Sequence, residues 1–561
     1  MPVFANTILS KLTASHLRAS LALILLSLVL FVPGQSAFPP MDRDEPRFAQ
    51  ASRQMLESGD LIGIRFQTEN RYKKPVGIYW LQAAAVKVGE LAGVTEARRQ
   101  VWLYRMPSLL GVVLAVLLTY WTAFAFLSRR GSFVAAALTA ALVIVAVEAR
   151  LAKTDAVLLA TVMASMGALA RAWFAYTDPR TVRESGLRNA LVFWIAMGIG
   201  ILIKGPITPM IALFVALPLA WRERNFRWLA ALRPGLGLAI VAVIVLPWII
   251  AILLKSGTAF FDEAIGKDML GKVGGAQERH GAPPGTYLGV FWATGWPMAP
   301  FFALAVPFLR REWRDDAVLF LLLWIVPAWI LFEAIPTKLP HYVMPLYPAM
   351  AILAIMAIER GAMECRRIWH KFFALLVAVL PVGLLIGTPV AGWYFDKSIP
   401  LAALPFLAVA ACLAIYAVRE LWRDEPSRAV MPAIGAALAV HIGAFQFGVP
   451  ALSPFTLSGR LASAAFAAGC GDHPKLATVG YREPSLVLLT DTDLAMPPTG
   501  EEGARFIGGT GCRVALVDQF NSEAFQQTLT QLGINARKTG SVRGLNLNRG
   551  RVLDIDVWVK P

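Results

Sequence analysis

Through the first four-fifths of the chain, apolar residues do not alternate with polar ones. They run on for roughly 15–24 positions, close to the length of about 20 that a helix needs to cross the hydrocarbon of a bilayer. Such runs lie near 19–38, 104–127, 131–147, 156–176, 189–203, 206–221, 236–254, 286–309, 317–334, 342–358, 372–394, 401–418 and 430–450. Pro107, Pro206, Pro247 and Pro327 fall in or beside them, which bilayer helices tolerate because neighbouring elements re-satisfy the freed carbonyls. The pattern predicts an α-helical polytopic membrane protein with about thirteen transmembrane helices over residues 1–450. Two stretches break it. Residues 39–103 form a polar first loop, with a helix expected over 45–58. From 451 to 561 the composition shifts to Gly, Asp, Asn and Thr; short strands are expected at 476–479 and 513–517, a helix at 521–532, and an alternating final strand at 551–559. That predicts a small C-terminal α/β domain.

Composition removes the soluble alternative. Of the 561 residues, 57% are hydrophobic and 16% charged, too few charges to cover a water-soluble globule of that apolar content. The net charge of +16 (53 basic against 37 acidic residues) does not indicate nucleic acid, because the basic residues sit between the apolar runs. Arg129/Arg130, Arg180/Arg183/Arg188, Arg222/Arg224/Arg227/Arg233, Arg310/Arg311/Arg314, Arg360/Arg366/Arg367/Lys371 and Arg419/Arg423/Arg428 occupy every second connection. The positive-inside rule then puts the N-terminus in the cytoplasm and the tail outside. A signal-peptide reading of residues 1–37 competes, and cleavage would leave the first loop on the same side. The four cysteines, Cys365, Cys412, Cys470 and Cys512, show no zinc or iron–sulfur spacing.

This sidedness collects the unusual residues on one face. Met41–Arg47, Tyr72-Lys-Lys-Pro75, Glu148–Asp155, Lys204-Gly-Pro206, Arg279-His280 and Thr337–Tyr342 all map to the exported boundary. Carboxylates there could act as bases or bind sugar hydroxyls, and cations could neutralise a phosphate. Each piece also has a structural reading. Asp44 would cap the 45–58 helix, with Pro46 in its first turn and Gly59 past its end; Asp155 would cap another; Lys204 would snorkel to the interface; His280, His341 and His441 would be hydrogen-bonded structural residues. Several cations share this face, which lacks obvious acidic partners for all of them.

At these residues the chain resembles the GT-C superfamily of polyprenyl-phosphate-sugar glycosyltransferases, in the aminoarabinose transferase / protein O-mannosyltransferase-like branch. The pieces that carry the resemblance are Asp44-Glu45-Pro-Arg-Phe with Met55–Asp60, Lys74-Pro75 before Tyr79-Trp80, Ala149-Arg150 with Thr154-Asp155, Lys204-Gly-Pro206, His280-Gly-Ala-Pro-Pro and Lys338-Leu-Pro-His-Tyr342. They run in order over about residues 20–360. The resemblance implies a GT-C-like fold and transfer of a sugar from a polyprenyl-phosphate donor to lipid A, lipopolysaccharide core or protein, at the periplasmic face of a bacterial inner membrane. It makes Asp44 the catalytic residue, with Asp155 assisting. Glu45, Arg47, Lys74, Arg150, Lys204, Arg279, His280, Lys338 and Tyr342 become the substrate-binding set, with Lys74, Tyr342 and Arg279 about the donor phosphate. Two positions depart from the aminoarabinose enzymes: Lys73 stands where a glutamate associated with a metal site is expected, and Phe48 where a tyrosine is. No obligatory cofactor is therefore expected, a divalent cation included, and the sugar need not be aminoarabinose. In an oxidising compartment, Cys470 and Cys512, the two cysteines of the tail, are expected to form a disulfide. A flippase would need ionisable residues or broken helices at the bilayer midplane, where these runs are almost free of charge. A scaffold would need no ordered set of acids and bases.

Overall fold

A computed structural model describes residues 7–42, 44–177, 186–271, 281–468 and 474–560. All thirteen apolar runs are helical. Among the described residues, nine helices are long and apolar enough to span a membrane as single pieces, and a tenth is the pair Thr286–Thr294 and Met298–Glu312, bent by 119°. His16–Phe31 and Ile207–Arg222 are apolar helices of 16 residues each. The expected 131–147 span is instead two helices, Arg129–Ala140 and Val143–Glu148, because Leu142 between them is extended. The break has a partner: the Val143 amide, freed from its own helix, donates to the Trp296 carbonyl within the bend of the tenth span at 3.1 Å. Two interruptions thus satisfy one another, as backbone inside a bilayer must.

Polar contacts gather at the two ends of the bundle. At one end Arg129 donates to the Ala14 carbonyl, Ser128 meets Glu359, Arg222 pairs with Asp316, Arg360 with Asp315, and Arg366 with Asp424. These are the basic connections of the sequence pattern. At the other end stand the first loop and the tail.

The first loop holds the helix Asp44–Ser58, a two-residue hairpin (Arg65–Phe66 with Glu69–Asn70) and the helix Gly77–Leu91. The Asp44–Ser58 helix begins one residue earlier than expected, with Asp44 and Glu45 in its first turn, where carboxylates complement the helix dipole. It stops at Gly59, whose φ of +73° suits a residue without a Cβ. Its inward face is fixed by a buried ion pair. Arg105 donates from Nε to one Glu45 oxygen (2.7 Å) and from Nη2 to the other (3.0 Å), and its Nη1 reaches the Gln35 and Phe38 carbonyls.

The tail is a four-stranded sheet in the order Lys475–Val479, Arg513–Asp518, Arg551–Lys560, Arg537–Asn546. The first pair is parallel and the other two are antiparallel. The helices Gly500–Gly508 and Ser522–Gln531 cover it. The edge strand Arg537–Asn546 has no counterpart among the sequence expectations, since most of its side chains face water and carry no apolar alternation. The tail docks on the outer face of the Asp44–Ser58 helix. Arg53 donates to the Leu488 carbonyl, Gln67 to the Thr492 and Leu494 carbonyls, and Gln50 to the Thr492 hydroxyl.

Candidate active site

Four connections from distant parts of the chain bring charge to one place. The Asp44–Ser58 helix presents Asp44 at its start, and the strand-to-helix segment after the hairpin presents Arg71, Lys73 and Lys74. The turn before helix Asp155–Thr177 presents Lys153, Thr154 and Asp155. The end of helix Leu187–Lys204 presents Lys204, where Gly205 (φ +67°) turns the chain out of the helix. These residues, with Asp268, His341 and Tyr342, line one polar recess. The recess opens into a cavity of about 560 Å³ whose far walls are apolar, among them Ile201, Val245, Trp248, Phe261 and Phe332. A cavity of that size takes a small ligand or part of a larger one.

Inside the recess every cation named by distance faces a carboxylate. Lys204 Nζ donates to Asp155 Oδ1 at 2.5 Å and stands 5.1 Å from the centre of the Tyr342 ring. Lys74 Nζ donates to Asp268 Oδ2 at 2.6 Å. Lys153 Nζ donates to Glu148 Oε1 at 2.9 Å. Arg71 lies 4.0 Å from Asp44 and over the Phe48 ring. His341 bridges the back wall, with Nδ1 at 3.6 Å from Glu148 and Nε2 at 3.7 Å from Asp155. Acidic partners for Lys74 and Lys204, which the sequence did not make obvious, are therefore present. Their partners, Asp268 and Asp155, lie 194 and 49 positions away in sequence.

The charges tune one another. Burial works to raise the Asp44 carboxyl, but Lys153 and Arg71 outweigh it and hold Asp44 below the usual carboxylate range. Burial likewise works against the Lys153 ammonium, and Glu148, Asp155 and Asp44 more than offset it, so Lys153 stays charged. At neutral pH the recess holds an ionised Asp44 among fixed cations.

The predicted residues divide cleanly. Asp44, Lys74, Asp155, Lys204 and Tyr342 line the recess. Glu45 does not: both of its oxygens are taken by Arg105, and it accepts from the Met41 and Ala152 amides as well. Arg150 also turns away, donating to the Leu30, Pro33 and Ala146 carbonyls and packing over Phe445; burial lowers its guanidinium to about 9. Lys338 caps the Ile335 carbonyl. These three hold the frame of the site. Arg47 is half-buried; its charge adds to the lowering of the Asp44 carboxyl and only partly opposes the rise that burial imposes on Asp42. Arg279, His280 and Cys470 lie outside the described residues. Cys512 is disulfide-bonded and Cys365 and Cys412 are free thiols. Arg71, Lys153 and Asp268 join the recess without having been singled out in sequence. Lys153 lay inside a stretch already marked by its charges; Asp268, in the helical turn Asp262–Leu270, carried no local mark at all. Among the described residues, no group of three or more His, Cys, Asp or Glu side chains has the geometry to hold a metal ion.

Comparison with known proteins follows the same lines. Residues 16–258 match the family described as dolichyl-phosphate-mannose-protein mannosyltransferase. A relative from Pseudomonas fluorescens (strain Pf0-1), named undecaprenyl phosphate-alpha-4-amino-4-deoxy-L-arabinose arabinosyl transferase 2, is 28% identical over 408 residues, 71% of this chain and 70% of its own. An Edwardsiella ictaluri arabinosyl transferase of the same substrate name is 25% identical over 429 residues, 72% of each chain. The crystal structure of ArnT from Cupriavidus metallidurans bound to undecaprenyl phosphate superposes with a TM-score of 0.71, covering 98% of both chains at 19% identity. The fold is that of ArnT, from the first span through the tail.

Proposed function

We propose, from the premise that this chain belongs to the GT-C glycosyltransferases through the domain at residues 16–258, that it transfers a sugar from a polyprenyl-phosphate donor to an envelope acceptor, lipid A or lipopolysaccharide core. The observation that carries this reading is the form of the cavity. An apolar chamber that suits an isoprenoid chain ends in a recess where Lys74, Lys204, Arg71 and Lys153 stand about Asp44 and Asp155. A phosphate at that end would exchange with the carboxylates now paired to the lysines, and the cations would stabilise the charge that develops as the polyprenyl phosphate departs.

Asp44, half-buried and ionised, faces the place where donor and acceptor would meet. With a hydroxyl acceptor it takes the proton as the new glycosidic bond forms; a phosphate acceptor is already nucleophilic, and Asp44 then orients it. Asp155, held by Lys204, positions the sugar. Glu45 and Arg150 are removed from the binding set and act through the frame. The relatives' names favour a lipid-linked pentosyl donor; the family description favours a second acceptor, a protein hydroxyl. The reading places the protein in the bacterial inner membrane with the N-terminus cytoplasmic and the tail periplasmic, as the alternating basic connections require.

The deciding experiment compares lipid A, core sugars and envelope glycoproteins by mass spectrometry between a deletion strain and strains complemented with wild type or Asp44→Asn. A pentose or hexose that disappears with the deletion and returns only with wild type identifies sugar and acceptor together. Identical profiles in all strains would end this reading.

A further inference from the structure

A second cavity, of about 450 Å³, lies on the other side of the segment that leads into the Asp44–Ser58 helix. Asp42 lines this one as Asp44 lines the first. Its walls are the first-loop entry (Pro39 to Asp42), the linker around Phe455 to Arg460 that follows the last apolar helix, and Leu545 and Leu547 at the end of the tail's edge strand. The linker and the loop entry both begin where an apolar helix ends, at Ala451 and Phe31, so the cavity sits at the membrane boundary.

Most of its lining is apolar, and one charge in it is poorly satisfied. Arg460 reaches the Ser453 carbonyl from Nη2 at 3.4 Å, and its buried Nε has no hydrogen-bond partner among the described residues. A guanidinium has five N–H donors in a planar fork, and leaving one buried and unmet is unfavourable. The carboxylate that lines the same cavity forms no ion pair with it. Asp42 accepts from the Ser485 amide at 2.9 Å instead, and burial and the nearby Glu483 push its carboxyl up to about 6, against the pull of Ser485 and Arg47. Tyr481 and Ser458 are likewise committed, to each other at 2.7 Å. The cavity is thus lined by one incompletely partnered guanidinium, set among Phe455, Leu457, Leu545 and Leu547 at a membrane surface.

We infer that this cavity binds a phosphate monoester carrying an apolar substituent, a phospholipid headgroup of the phosphatidic-acid type, at a site separate from the Asp44 recess. The phosphate meets Arg460 in the two-point geometry that guanidinium groups favour, and the apolar walls take the glycerol and the first methylenes. Bound there, the lipid would tie the linker, the loop entry and the tail together two residues from Asp44.

The test uses the full chain in detergent, saturated with undecaprenyl phosphate to occupy the first cavity, and native mass spectrometry with dihexanoyl phosphatidic acid as the probe. One further equivalent should bind. Arg460→Ala should weaken it at least tenfold, and Leu545→Trp, which fills the cavity without touching charge, should do the same. Inorganic phosphate and dihexanoyl phosphatidylcholine should each bind at least tenfold more weakly than the probe. If Arg460→Ala is not recovered folded, Leu545→Trp decides. Unchanged affinity in the variants overturns the site, and inorganic phosphate binding as tightly as the probe overturns the lipid. Neither variant touches the Asp44 recess, so failure here leaves the donor reading standing, and failure of the donor reading leaves the Arg460 dependence intact.

Discussion

Asp44 and Glu45 are neighbours in sequence and sit in opposite electrostatic settings. Glu45 is 1% exposed; Arg105 and two backbone amides occupy its oxygens, and no other group can reach it. Asp44 is half-buried beside a cavity, 4.0 Å from Arg71, with Lys153 acting through charge rather than contact. The first arrangement is saturated, so it holds structure. The second is loose and over-supplied with cations, so it can exchange partners with an incoming anion. Adjacent carboxylates therefore read alike in a motif and do different work.

The largest effect should come from the saturated side. Arg105→Ala leaves the Glu45 charge buried and unpaired, a loss of about 3–5 kcal/mol. Membrane yield and thermal midpoint should both fall sharply, and a variant as stable as wild type would remove the distinction between the two settings. Asp44→Asn is the counterpart. It keeps the size of the side chain and its ability to cap a helix, so yield and midpoint should hold while transfer from a defined polyprenyl-phosphate sugar drops about 100-fold or more. Full activity would leave the helix start as the only role of that residue.

Asp155→Asn should cost less, about tenfold, because its part is positioning. Lys74→Ala and Lys204→Ala should raise the donor KM by a similar factor with kcat less affected; a donor titration that matches wild type for both would move phosphate recognition elsewhere. A smaller effect is expected at Asp42. Its carboxyl titrates near 6 in the folded protein, above its ordinary value of 3.8, so the folded state holds a proton that the unfolded chain has lost. Stability from this contact is therefore present below about pH 4 and is withdrawn as pH rises toward 6. The midpoint of wild type relative to Asp42→Asn should fall across that window and stay level above it. A constant difference would show that Asp42 does not titrate there. The smallest effect concerns the tail cysteines. Alkylation of the unfolded protein without reductant should label Cys365 and Cys412 and spare Cys470 and Cys512; four reactive thiols would exclude the bridge.

The helices were legible because an apolar run has one stable form in a bilayer: each of the thirteen runs is helical, although among the described residues nine, or ten with the bent pair, are long and apolar enough to span, fewer than the thirteen expected. The break at Leu142 was not, since the sequence around it stays apolar and the interruption is stabilised by the distant Trp296 carbonyl. Asp44, Lys74, Asp155, Lys204 and Tyr342 could be placed on one face by counting spans. Arg150 and Glu45 shared that face and the same motifs, and their inward rotation depends on Phe445 and Arg105, which no local pattern announces. Asp268 shows the limit from the other direction: its role exists only through Lys74, 194 positions away.

The grip between tail and first loop has an uneven consequence for drift in sequence. From the loop, Arg53 and Gln67 reach across to carbonyl oxygens of Leu488, Thr490, Thr492 and Leu494, groups that every residue carries. Replacing those tail side chains deletes none of these acceptors, whereas replacing Arg53 or Gln67 deletes the donors outright. Thr492 and Leu488 are exceptions: the Thr492 hydroxyl accepts from Gln50 and donates to Glu57, and the Leu488 side chain is buried against Ala49 and Val86 of the loop. The polar part of the grip therefore tolerates change on the tail side and rests on a few polar residues of the loop, while the apolar part depends on Leu488 of the tail.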